Sequence, residues 1–141
     1  MWLSMINTKN IRIYITTLLT LSAIDGVWLT LISPKIYKHY IGYLTAQKFS
    51  FAPAGLFYLL FPLGLMIFVI LPALQKKNTI MFAATRGALF GLFTYATFDL
   101  SCQAILPHWP TTISVIDITW GMALASATSI ISYSFSKKYI K

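Results

Sequence analysis

Glutamate is missing from this chain, and its only acidic residues are three aspartates, Asp25, Asp99 and Asp117. Carboxylate chemistry of any kind must therefore run through those positions. A lone cysteine, Cys102, excludes an internal disulfide. The two histidines, His39 and His108, are too few for a multi-histidine iron site, and neither an H-E-x-x-H nor a G-x-S-x-G pattern occurs. Charged residues make up 10% of the chain, against ~25% in soluble domains. With 57% hydrophobic residues and a mean hydropathy of +0.72, the chain reads as an integral membrane protein.

Four apolar stretches are long enough to cross a bilayer as helices: approximately 13–33, 52–74, 80–104 and 113–135. Within 141 residues they leave no room for a separate soluble domain, so residues 1–141 are expected to form one integral membrane domain. The expected fold is an all-α four-helix transmembrane bundle. Lys9 and Arg12 resemble the basic start of a signal peptide. The apolar run that follows exceeds the ~7–15 residues of a signal core, however, and no A-x-A-like site ends it, so the first span is expected to be retained.

The net charge of +8 is a topology signal rather than a nucleic-acid footprint. Lys9, Arg12, Lys76, Lys77, Lys137, Lys138 and Lys141 all fall on one side of a four-span layout. The other side holds only Lys35, Lys38 and Lys48. By the positive-inside bias both termini are cytoplasmic, giving an N-in/C-in arrangement. The lipid bilayer is the expected partner, and no nucleic acid is.

This orientation sets the depth of the aspartates. Asp25 lies about eight residues, or ~12 Å, before the outer end of span one. Asp99 is near the exit of span three, and Asp117 near the start of span four. Three segments thus place a carboxyl group in the same outer half, where each costs ~2.5–3.5 kcal/mol or more if charged and alone. They are expected to converge on one polar pocket.

Helical spacing supports convergence. Every fourth residue of span three reads Ala83, Gly87, Gly91, Tyr95, Asp99, Gln103, and span four repeats the pattern as Asp117, Gly121, Ala125, Ser129. Small residues permit close backbone packing at the inner end, and each stripe turns polar at the outer end. The G-x-x-x-G pair Gly87/Gly91 also offers a face for a homodimer. Trp28 and Trp120 each follow an aspartate by three residues, so each shares a face with its acid and can offer an indole donor to a facing carboxylate. Tyr58 stands in the outer half of span two, beside a helix-interior proline, Pro62, that is expected to kink the span and free the Tyr58 carbonyl. The candidate pocket is therefore Asp25, Asp99, Asp117, Trp28, Trp120, Tyr95 and Tyr58.

In the first outer loop, Ser33-Pro34 reads as an N-cap and first helical position. Ile36, Tyr37, Tyr40, Ile41 and Leu44 then take one face, opposite Lys35, Lys38, His39 and Gly42. This predicts a short amphipathic interfacial helix that either covers the polar mouth or only anchors the loop, the second being the favoured reading. Trp109, in the outer Pro107–Pro110 turn, suits an interfacial aromatic belt, and Arg86 is expected to snorkel to the inner headgroups.

Taken together, Asp25-x-x-Trp28, Phe57-Tyr58 with Gly64, Phe68 and Pro72, Gly87-x-x-x-Gly91-x-x-x-Tyr95, Thr97-Phe98-Asp99-Leu100, Trp109-Pro110 and Asp117-x-x-Trp120-Gly121 resemble the bacterial predicted-membrane-protein family known as domain of unknown function 2177. The resemblance covers nearly the whole chain. It implies a small multi-pass protein of the inner (cytoplasmic) membrane and carries no established activity, cofactor or metal. The family more often has tyrosine before the middle aspartate and Thr-Asn after the leucine, where this chain has Phe98, Ser101 and Cys102.

Three function classes follow. A binding or transport module would use the aspartates to take up a proton, a cation, a polar solute or a lipid headgroup. A lipid-modifying enzyme would use them as metal ligands or as general acid and base. A structural or accessory subunit would use them as helix glue, although intramembrane hydrogen bonds average only ~0.6 kcal/mol and serines would serve as well. The residues favour binding over catalysis.

Overall fold

The computed structural model describes residues 7–45, 48–75 and 79–140. Every regular element among them is helical. The first rod comprises α1 (Thr8–Val27), a π-helical turn (Trp28–Ile32) and α2 (Ser33–Ile41) without interruption. The second comprises α3 (Phe51–Leu65), a π-helical turn (Met66–Ile70) and α4 (Leu71–Gln75). Helices α5 (Ile80–Ile105) and α6 (Thr111–Tyr139) complete the fold. Asn7 caps α1 by accepting from the Asn10 N–H at 2.8 Å, and Thr79 caps α5. Lys137 and Lys138 occupy the last turn of α6, where positive charge opposes the helix dipole.

Among the described residues, three helices are long and apolar enough to cross a membrane: Thr8–Ile41, Phe51–Gln75 and Thr111–Tyr139. Helix α5 has the length, at 26 residues, but Arg86, Asp99 and Gln103 dilute its apolar run. Its outer surface is nonetheless greasy: Met81, Leu89, Phe93, Phe98, Leu100 and Ile105 are all exposed. Exposed leucines and phenylalanines likewise cover the first two rods, while polar groups such as Thr17, Asp25, Asp99, Asp117, Thr128 and Ser129 are buried. That distribution is inverted relative to a water-soluble domain.

The small-residue stripes meet as the spacing predicts. Helices α5 and α6 run antiparallel, with Gly91 against the Gly121 backbone and Gly87 against Ala125 and Ser129. A methyl group on Gly91 would collide with the Gly121 carbonyl, so glycine is required there by the approach of the two backbones. The Ser126 hydroxyl crosses the same seam to donate to the Ala84 carbonyl at 3.0 Å. The face that the sequence offered to a second copy is therefore taken by α6 of the same chain, because Gly87 and Gly91 are buried there.

One local expectation is corrected. Ser33 is not an N-cap: it is buried and helical, and the chain enters α2 without leaving the helix. The Ser33 N–H bonds to the Trp28 carbonyl five residues back. The Leu71 N–H bonds to the Met66 carbonyl in the same way. Each widened turn stands immediately ahead of a proline, Pro34 or Pro72, whose ring would clash with the carbonyl four residues back in a regular α-helix. The irregularity in the second rod thus lies before Pro72, while Pro62 sits buried within α3. Near Pro62, Tyr14 donates its hydroxyl to the Leu59 carbonyl at 3.0 Å. Of the basic residues used for topology, Lys76, Lys77 and Lys141 lie outside the described residues.

Candidate functional site

The aspartates gather at one end of the rods but in unlike surroundings. Asp25, on α1, is 4% exposed and both its oxygens are engaged. The Tyr58 hydroxyl donates to Oδ2 at 2.6 Å, and the Trp120 indole N–H donates to Oδ1 at 3.1 Å. Trp28, one turn beyond Asp25, lies flat on Trp120 with ring centroids 4.3 Å apart and planes 9° from parallel. The Asp-x-x-Trp echo thus has a physical content: two helices present acid and indole so that one indole bonds the acid and the other covers it. Trp28 stacks, worth ~0.5–1.5 kcal/mol beyond area burial, and its side chain also hydrogen-bonds Tyr37.

Asp117, on α6, accepts from the Tyr37 hydroxyl at 2.7 Å through Oδ1. Tyr37 comes from α2, so the amphipathic helix reaches over the polar end and does more than anchor a loop. Tyr43 extends the cover by donating to the His108 carbonyl at 2.6 Å. His108 adopts a left-handed φ of 62° in the α5–α6 turn. Trp109, in the same turn, donates to Ser114 at 3.0 Å, and Gln103 donates to Thr111 at 2.8 Å, tying the ends of α5 and α6 together.

Asp99, on α5, is different again. It is fully buried, and neither carboxylate oxygen has a hydrogen-bond partner. It stands within electrostatic reach of Asp117, and Tyr95 within reach of all three aspartates. Asp99 and Asp117 line a partly open cavity of ≈ 400 Å³, together with Tyr37, Phe57, Phe61, Thr94, Tyr95 and Phe98. The Tyr95 ring rests on Gly121, the one position on α6 whose lack of a side chain admits it.

The seven residues singled out by sequence therefore divide into two neighbouring groups. Asp25, Tyr58, Trp120 and Trp28 form a closed hydrogen-bonded and stacked cluster. Asp99, Asp117 and Tyr95 line the cavity. Sequence reasoning missed Tyr37, which shares the apolar face of α2 with Ile36 and Ile41 and so carries no polar signature. It also missed Phe57, Phe61 and Phe98 as cavity walls. Among the described residues, no three His, Cys, Asp or Glu side chains are grouped as a metal ion would require. Arg86 stands apart, exposed, its guanidinium 5.3 Å from the centre of the Phe82 ring.

Comparison with known proteins places the chain by its family alone. The model of the family described as predicted membrane protein (DUF2177) matches residues 10–134. No curated protein and no solved structure matches the chain.

Proposed function

Because the chain belongs to this family of predicted membrane proteins, we propose that it is a four-span protein of the inner membrane that binds a cation or a hydrogen-bond-donating group at Asp99 and Asp117. All four rods cross the bilayer in this reading. Both termini are cytoplasmic, since Lys9, Arg12, Lys137 and Lys138 cluster at the end remote from the aspartates. Helix α5 crosses despite Arg86 and Asp99, because Asp99 is buried inside the rods while Arg86, exposed near the inner end, snorkels to the headgroups. The aspartates then lie toward the outer surface, with α2 over them.

The observation that carries this reading is the state of Asp99. A buried carboxyl with no donor is among the costliest groups a protein can hold. A structural role would have given it a partner, as Asp25 has two. Asp99 instead faces a cavity, where a proton, a cation or a donor from outside can satisfy it. Binding, with or without passage through the membrane, follows from that geometry more directly than catalysis does. Among the described residues, the one hydroxyl–carboxylate pair lining the cavity, Tyr37 with Asp117, is engaged in holding α2 over the site.

A hydrophobic carbodiimide, which attacks protonated carboxyl groups in apolar surroundings, tests the assignment. With purified protein in detergent and peptide mass spectrometry as readout, Asp99 should react at least tenfold faster than Asp25, and Asp99→Asn should remove the adduct. In native membranes the occupant of the cavity should slow the same reaction. Equal labelling of Asp25 and Asp99, or equal rates in native membranes and detergent, would refute the reading.

A further inference from the structure

Resting on the reading of Asp99 and Asp117 as a ligand site, we propose that the ligand is an amphiphilic primary amine, admitted sideways from the apolar phase between α3 and α5. The way in is a gap between those helices. Along its length α3 packs on α1 and meets α5 at few points, the Phe90 ring against Gly64 among them, whereas the π turn Met66–Ile70 beyond it packs more fully against α5. The second rod is thus fastened to α5 at one end and parted from it beside Asp99. Aromatic rings alone bridge the parting: Phe61 lies edge-on to Phe90 and Tyr95, with centroids 5.3 and 6.1 Å away. The cavity fills this gap, with Phe57 and Phe61 on the α3 side and Thr94, Tyr95 and Phe98 on the α5 side. Phe98 is 59% exposed, so the rim faces the surroundings of the rods rather than their interior.

Size, charge and donor count select the occupant. A cavity of ≈ 400 Å³ is many times the ~30 Å³ of a water molecule, and falls among the ~300–1,000 Å³ sites that hold organic ligands. A bare ion would leave most of it empty. Among the described residues, no lysine, arginine or histidine lines it, while two aspartates do, so an anionic headgroup finds no counter-charge there. Three acceptor atoms have no donor within the chain: both oxygens of Asp99, which lie shielded at the cavity wall, and the Asp117 Oδ2 that Tyr37 leaves unused. A primary ammonium carries three N–H donors in a compact head. The faces of Phe57, Phe61, Tyr95 and Phe98 suit both that cation and the alkyl chain behind it.

The test compares three probes on wild-type protein by native mass spectrometry from detergent micelles: dodecylamine, dodecanol and ethylamine. One dodecylamine should bind per chain at concentrations at least tenfold below those needed for the other two. Asp99→Asn should weaken dodecylamine at least tenfold, and Thr94→Trp at the rim should weaken it while leaving carbodiimide labelling of Asp99 in place. Dodecanol binding as well as dodecylamine would reduce the cavity to an apolar slot and overturn the proposal. Ethylamine binding as well as dodecylamine would make the source a water-soluble amine, which overturns sideways admission. If no probe discriminates yet Asp99 labels ahead of Asp25, the amine is wrong and the ligand site stands; if the labelling contrast also fails, both fall.

Discussion

Asp25 and Asp99 lie at the same end of the molecule, equally withdrawn from the surface, and share almost nothing else. Asp25 has a tyrosine on one oxygen, an indole on the other and stacked rings across its mouth. Asp99 has two empty oxygens and a cavity in front of it. The difference teaches that burial of an acid is not itself a functional signal. What separates a structural carboxylate from a candidate ligand-binding one is whether the chain supplies its donors.

The contrast can be broken by mutation. The largest effect should come from Asp25→Ala, which strands the Tyr58 hydroxyl and the Trp120 N–H. At ~1–3 kcal/mol for each orphaned donor, the loss should be on the order of 2–6 kcal/mol, measured by denaturant unfolding in detergent. Tyr37→Phe should come next, removing one bond to a carboxylate at ~1.5–3 kcal/mol and loosening α2. Protease cleavage in the Gly42–Thr45 stretch would report that loosening, and unchanged cleavage would show that Tyr37 does not hold the cover. Asp99→Asn should be smallest, within ~0.5 kcal/mol of wild type or above it, because no native bond is lost. A loss as large as that of Asp25→Ala would make Asp99 structural and erase the contrast.

The sequence revealed more of the frame than of the cavity. The stripes on α5 and α6 were legible because small residues at every fourth position have one efficient use, close backbone packing, and Gly87 and Gly91 are used that way. The gathering of the aspartates was legible because apolar surroundings penalise each one separately. Partner assignment was not. Tyr37 belongs to an apolar face by spacing, and only the path of α2 brings its hydroxyl to Asp117. The Ser33 cap failed because Ser-Pro is equally compatible with a helix start and with a helix that widens before the proline. The apolar reading of span three overlooked how far Arg86 and Asp99 depress its hydropathy, since the cost of Asp99 is met by facing inward and that of Arg86 by a place near the helix end, neither of which composition records.

The widened turn at Trp28–Ile32 holds, in effect, one residue more than a regular helix needs. Each residue of an α-helix advances the azimuth by about 100°, so everything beyond that turn is rotated by roughly this angle from where a plain helix would carry it. Tyr37 meets Asp117 because of that offset. The widened turn therefore acts at a distance: a single surplus residue ahead of Pro34 sets the compass bearing of the hydroxyl above the cavity.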